Sequence, residues 1–265
     1  MADHFLEKAQ EFVKEHKDQP FFLYYAMQQP HVPRTPHPRF AGKSGLGPRG
    51  DVIMEADWCI GEFMKTLEKE GLLENTLVIL TSDNGPVLDD GYMDGAAERL
   101  GEHNPFGPFR GGKYSAFEAG TRVPFILQWK GQVKGSQESS ALISQVDLLK
   151  SFAAFTGQNI PQGEAIDSQD HWNSLTGQNK SGRTSLVQEA IRNVLSYVKG
   201  EYKYIEPSSG PPMITWGVNI ESGFHEDPQL YNLEKDPGET ENLALQLPEI
   251  TASMHRELQQ IKNKQ

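Results

Sequence analysis

Thr76-Leu77-Val78-Ile79-Leu80-Thr81-Ser82-Asp83-Asn84-Gly85 is the stretch on which the reading of this chain turns. Its first six residues, β-branched or leucine, make an apolar run of strand length. The run does not alternate with polar residues, which suits a strand covered on both faces in an α/β sheet. It passes directly into Asp83-Asn84-Gly85. Ligands of open α/β sheets bind beyond the carboxyl ends of the strands, so two oxygen-bearing side chains there are well placed. Hard divalent cations take carboxylate and amide oxygens, which Asp83 and Asn84 can offer. Asp-Asn-Gly is equally the chemistry of a plain turn, and taken alone the tripeptide favours that reading.

Upstream, residues 51–70 carry Ile53, Ala56, Ile60, Phe63, Met64 and Leu67 at helical spacing, with Gly71 as the stop. A second continuous apolar run, Phe21 to Met27, predicts another buried strand. A loop with five prolines joins the two and holds His31 and His37. Asp3 reads as the N-cap of a first helix with Leu6, Ala9 and Val13 on one face. Downstream, residues 86–120 are polar and Gly-rich and too long for a routine connection, so a functional loop is expected. Residues 123–129 predict a third strand and 144–155 a helix ending near Gly157. After a polar stretch at 158–183, short strands are expected at 184–188, 194–198 and 202–205, with a last amphipathic helix over 249–261. This order predicts an α/β unit over residues 1–165 and a smaller α+β unit over 166–265.

The chain has 265 residues and a net charge of −11, with no basic block. Nucleic-acid binding is therefore not expected, since phosphate binding needs clustered Lys and Arg. An anionic substrate has to be drawn by local cations against an acidic background. The single cysteine, Cys59, rules out an internal disulfide and a cysteine zinc cluster, and reads as a packed helix residue. No apolar run approaches the roughly 18 residues of a membrane span. Met1 to Glu15 mix charged and apolar types, so they do not form a signal peptide.

Two further features carry chemistry. In Arg110-Gly111-Gly112-Lys113, two glycines let the backbone approach a ligand with a cation beside it; a flexible surface loop explains the same residues. His31, in Gln29-Pro30-His31-Val32-Pro33, could donate to an anion or move protons at a strand end, although a lone loop histidine is usually just solvated. His37, His103 and His171 have no spacing that suggests a shared metal.

Taken in order, these pieces resemble the formylglycine-dependent sulfatases of the alkaline phosphatase superfamily. The likeness rests on Pro30-His31-Val32-Pro33, Leu80 to Gly85, Arg110 to Lys113, Glu118-Ala119-Gly120-Thr121-Arg122-Val123-Pro124 and Gln145-Val146-Asp147-Leu148-Leu149. The tail adds Leu230-Tyr231-Asn232-Leu233 with Asp236-Pro237-Gly238-Glu239 and Asn242-Leu243. It covers nearly the whole chain. It implies the C-terminal part of an alkaline-phosphatase-like core sheet flanked by helices, followed by a small antiparallel sheet and a C-terminal helix. It implies that Asp83 and Asn84 are two of four protein ligands of a calcium ion, and that His31, Lys113 and Arg110 bind substrate. His31 would contact the sulfate, and Lys113 would hold a sulfate oxygen and steady the leaving oxygen. Where the family often has Glu-Gly-Gly, Ala119 stands here, which suggests a position not held at positive φ.

One departure is larger. The family oxidises the Cys or Ser of Cys/Ser-x-Pro-x-Arg to formylglycine, the nucleophile, and this chain has no such pentapeptide. Cys59-Ile60-Gly61-Glu62-Phe63 fails at every required position, and Ser209-Gly210-Pro211-Pro212-Met213 ends in Met instead of Arg. The family also places a pair of calcium-binding aspartates upstream of every motif seen here, so the expected calcium site is incomplete, and without the nucleophile the isolated chain is expected to be inactive. Part of an enzyme acting on sulfated carbohydrates is the first reading, with self-association or pairing with an N-terminal sulfatase segment. A non-catalytic binding module of the same fold, and a phosphate or phosphonate ester hydrolase, are the alternatives. Bacterial relatives are mostly exported, so a periplasmic or secreted parent is the family expectation.

Overall fold

In the computed structural model, residues 1–216 and 218–263 are described. Helix α1 (Ala2–His16) buries Ala2, Leu6, Ala9 and Val13, the face that its spacing predicts. Asp3 does not cap it; its carboxylate pairs with Arg39 instead. Helix α2 (Gly47–Lys69) packs on α1 and starts four residues earlier than expected, with Pro48 in its first turn, where the missing N–H costs nothing. Its inward face carries Val52, Glu55, Cys59 and Leu67, while Ile53 and Met54 reach solvent. Polar anchoring explains that rotation: buried Asp51 accepts hydrogen bonds from the backbone N–H groups of Gly42 and Ser44 and from the Ser44 hydroxyl. Cys59 is fully buried beside Ala2 and Leu6.

The strand expected at Phe21–Met27 does not form. Residues 21–28 belong to no sheet, and alternate side chains are exposed, Phe22 at 75% and Tyr24 at 81%. The intervening side chains face inward, Phe21 edge-on to Phe12 and Tyr25 beside Phe63. A strand needs a neighbour for its backbone N–H and C=O groups, and among the described residues none pairs with this segment.

Strand β1 (Val78–Thr81) pairs antiparallel with β2 (Phe125–Gln128), Thr81 opposite Phe125, in a sheet of two strands. The described sheets are all antiparallel, so the strand context expected for an α/β core is reduced here to this pair. Between the two strands the chain makes the long 82–117 excursion and a single helical turn, α3 (Glu118–Thr121). Ala119 lies inside that turn and is absent from the residues with positive φ, as expected. Helix α4 (Asp147–Thr156) ends on left-handed Gly157. The fully buried Asp147 ties the following loop to it, accepting from Arg183 at 2.7 Å and from the N–H groups of Ser144 and Gln169. A short α5 (Trp172–Leu175) closes this region.

Strands β3 (Ser185–Glu189), β4 (Leu195–Lys199) and β5 (Tyr202–Ile205) follow, close to their predicted positions. A hairpin of β6 (Met213–Ile214) and β7 (Ile220–Glu221) leads to β8 (Gln229–Asn232). The four-stranded antiparallel sheet runs β3-β4-β5-β8. Helix α6 (Pro248–Lys262) buries Met254 and Leu258 against Tyr197, Tyr204 and Leu230 of that sheet. A second core joins Ala116 and Phe117 to Ile205, Phe224 and Tyr231, pressing the end of the long excursion against the C-terminal sheet. Among the described residues, no helix is long and apolar enough to cross a membrane.

Candidate functional site

The site forms where the end of β1 meets the Gly111–Gly120 stretch. The Gly85 N–H donates to Gly120 O at 2.9 Å, and the Lys113 N–H donates to Pro86 O at 2.9 Å. Only glycine permits this approach: a Cβ on Gly85 would sit 1.6 Å from Ala119 O. Asp83, Asn84 and Lys113 thereby line one cavity of about 220 Å³, with Tyr114 and Ser115 beside them and Glu189 from β3 on another wall. The sequence motifs near the two ends of the long 82–117 excursion therefore converge.

Asn84 Nδ2 donates to Gly85 O at 2.9 Å, which orients the amide, and no hydrogen-bond donor reaches its Oδ1 among the described residues. Among the described residues the exposed Asp83 carboxylate takes only a long 3.5 Å contact from Ser82. Two residues earlier, at the end of β1, Thr81 has a buried hydroxyl without a hydrogen-bond partner. Asp83 and Asn84 thus offer side-chain oxygens of the kind that hard cations take. Calcium takes six to eight oxygens, and no group of three His, Cys, Asp or Glu able to hold a metal occurs among the described residues. The residues fit a calcium ion as part of its ligand set.

Lys113 Nζ donates to Asp90 at 2.7 Å, with side chains only 14% and 8% exposed, and the Tyr114 hydroxyl donates to the other Asp90 oxygen at 3.1 Å. Burial works against the Lys113 ammonium, but the hydrogen bond and charge of Asp90 outweigh it and hold its pKa above the ordinary lysine value. Lys113 therefore stays cationic. Tyr114 sits at φ +79, an outlier for so bulky a residue, in the tight turn closed by Ser115 N–H to Gly112 O.

His31 lies outside the cavity lining, on the exposed loop before Val32. Its Nδ1 is 2.7 Å from Val32 O, which assigns that nitrogen as the donor and leaves Nε2 available. A residue not singled out by sequence reading ties this loop to the site. The buried Arg34 guanidinium donates to Pro30 O, Leu88 O and Val87 O and pairs with Asp94, strapping the His31 loop to the strand-end excursion that carries Asp90. Arg110 is committed elsewhere. It makes a bidentate pair with Glu221 at 2.8 and 2.7 Å, donates to Glu239 O, and lies 4.1 Å over the Phe117 ring. The Glu221 pairing raises the Arg110 pKa and lowers that of Glu221.

An oxygen pair at a strand end and a lysine line one cavity, where a cation held by those oxygens would complete a positive lining for a tetrahedral oxyanion. The Sulfatase family model matches residues 1–158, and the chain belongs to that family. It is 51% identical, over 100% of its length, to N-acetylgalactosamine-6-O-sulfatase of Bacteroides thetaiotaomicron, covering 51% of that protein. It is 34% identical over 94% of its length to human arylsulfatase A, covering 49% of it. A solved structure concerned with glycosaminoglycan metabolism in Bacteroides thetaiotaomicron superposes with a TM-score of 0.96 at 51% identity, covering 99% of this chain and 54% of that one. The chain thus spans about half the length of the curated relatives it matches.

Proposed function

We propose that this chain supplies the anion-gripping part of a sulfuric-ester hydrolase site that acts on sulfated carbohydrates. The single observation that carries this reading is the cavity that collects Asp83, Asn84 and Lys113. Asp83 and Asn84 would hold calcium, which when bound supplies positive charge at the sulfate oxygens. Lys113, kept charged by Asp90, would grip a sulfate oxygen and offset charge growing on the leaving oxygen. His31, on a loop that Arg34 holds in place, would donate to the anion through Nε2–H as the imidazolium, since Nδ1 already donates to Val32 O. Three of the five Arg110 N–H donors are engaged by Glu221 and the Glu239 carbonyl, which supports a part in bracing the Lys113 turn against the β6–β7 hairpin beside the substrate contact that the resemblance implies.

A carbohydrate substrate is supported by the name of the relative that is 51% identical and by the acidic and aromatic residues of the 86–109 excursion. A phosphonate monoester hydrolase shares the fold at 19% identity; two-metal phosphatases need further metal ligands, and no group of three His, Cys, Asp or Glu able to hold a metal occurs among the described residues. Lys113 would supply the second positive charge here. The missing Cys/Ser-x-Pro-x-Arg also fits a non-catalytic binding module, and it is the reason the chain alone is expected to be inactive.

The test is sulfate release from a carbohydrate sulfate ester. Homogeneous chain alone should release none, because loss of the nucleophile of a covalent mechanism can cost about 10⁶ in rate. Mixed with a sulfatase segment that carries the pentapeptide, it should gain activity, and Lys113→Ala should then lower the rate by about 10²–10³. Turnover by the chain alone, or complemented activity indifferent to Lys113→Ala, would refute the assignment.

A further inference from the structure

One exposed aromatic lies next to the cavity, against the ring of a residue that lines it. Trp216 is 56% exposed on the turn between β6 and β7. The hairpin itself is anchored: Ile214, Val218 and Ile220 are buried against Val87, Tyr114 and Ile191. Two of those three supports, Tyr114 and Ile191, are themselves cavity walls, and Val87 directly follows Pro86, which accepts the Lys113 N–H. The Trp216 ring lies 5.2 Å from the Tyr114 ring, tilted by 51°. Tyr114 continues the connection through its hydroxyl to Asp90, and Asp90 to Lys113. The Tyr114 carbonyl is held by the Ile191 N–H at 3.1 Å, so the ring beside Trp216 is fixed from both sides.

What sets Trp216 apart is its place against a cavity wall: its ring offers a large apolar face with one polar edge for a ligand in that cavity to cover. The cavity beside it is polar, lined by the Lys113 cation and the carboxylates of Glu189 and Asp83. Sulfate esters of sugars match that pattern. They carry an anion, hydroxyls that pair with carboxylates, and an apolar C–H face on the ring that stacks on aromatics. A flat hydrocarbon sulfate would have no use for the carboxylates, and inorganic sulfate would have none for the indole.

We infer that Trp216 and Tyr114 form a sugar-ring subsite beside the anion cavity, on which a pyranose lays its C–H face while its sulfate is held at Lys113. The inference rests on the sulfated-carbohydrate reading above and adds the surface that recognises the sugar. It makes the small β6–β7 hairpin a specificity element of the site.

Three probes separate the subsite from the anion grip: N-acetylgalactosamine 6-sulfate, N-acetylgalactosamine and sodium sulfate, each titrated into the full chain with calcium present. Trp216→Ala should weaken the sulfated sugar about 5-fold, the scale of one lost aromatic contact, and leave inorganic sulfate within about twofold. Trp216→Phe keeps a ring and should lie near the native protein. Lys113→Ala should weaken both sulfated probes and spare N-acetylgalactosamine. Native sugar affinity in Trp216→Ala would overturn the subsite while leaving the anion grip intact. Trp216-dependent binding of both sugars without any response to Lys113→Ala would keep the subsite and remove the sulfate reading. A native chain that binds neither sugar at millimolar concentration would also overturn it.

Discussion

At the scale of single residues, the site depends on a backbone that passes closer than side chains allow. Gly85 is the sharpest case, because the atom its Cβ would strike is a backbone carbonyl, Ala119 O, and not a flexible side-chain end. The same peptide is held by the 2.9 Å bond from Gly85 N–H to Gly120 O. Gly85→Ala should therefore part β1 from the Lys113 turn. The expected loss is about 3 kcal/mol or more in urea unfolding, at the upper end for an added methylene in a packed site, and a near-native midpoint would contradict this account. That Asp83, Asn84 and Lys113 meet in one cavity was legible from the order of the motifs in the family resemblance and from neither motif alone, since Asp-Asn-Gly also makes a plain turn and Arg-Gly-Gly-Lys a surface loop. Asp90 as the partner of Lys113 and Arg34 as the strap were not. Their contacts span 23 and more than 50 residues of chain, and no local pattern encodes such pairings.

At the scale of elements, α3 meets the C-terminal sheet through buried charge. Lys203 on β5 is fully buried and pairs with Glu118 of α3 at 3.0 Å and with Glu239 at 3.2 Å. Glu239 also accepts the Glu118 N–H at 2.6 Å, while Arg122 pairs with Glu118 and Arg110 binds the Glu239 carbonyl. Two carboxylates thus share one buried ammonium. Burial pushes the Glu239 carboxyl up to about 7, with Lys203 pulling the other way. A folded pKa above the unfolded one means that folding favours the protonated acid. Its stabilising contribution is complete below the ordinary glutamate value and declines as pH rises through 7. Glu239→Gln should therefore flatten the fall in unfolding free energy between pH 5 and 8, by about 1 to 3 kcal/mol relative to the native chain. Parallel pH profiles for the two proteins would dismiss the idea. The helices at this scale were readable from periodicity, as the face of α1 and the Gly157 stop of α4 demonstrate. The rotation of α2 was not, because polar anchors at Asp51 fix it and hydrophobic spacing does not register them.

At the scale of the whole molecule, the telling feature is apolar surface where the sequence promised a buried strand. Phe21 to Met27 has the composition of a segment covered on both faces, yet one of its faces is open at Phe22 and Tyr24, and Ile126 of β2 is also 58% exposed. Composition alone could report that cover is needed, but not whether this chain provides it. Large exposed apolar residues on an extended segment with unpaired backbone groups invite association, and the chain spans about half the length of its matched relatives. In solution the 29.7 kDa chain should therefore run as a self-associated species by light scattering. Adding the complementary sulfatase segment should replace self-association with a mixed complex, because both compete for the same face. Phe22→Ser with Tyr24→Ser should shift the chain towards monomer and weaken that complex, while leaving its far-ultraviolet dichroism unchanged, since both side chains already face solvent. A native chain that is monomeric at all concentrations would remove the need for cover on this face.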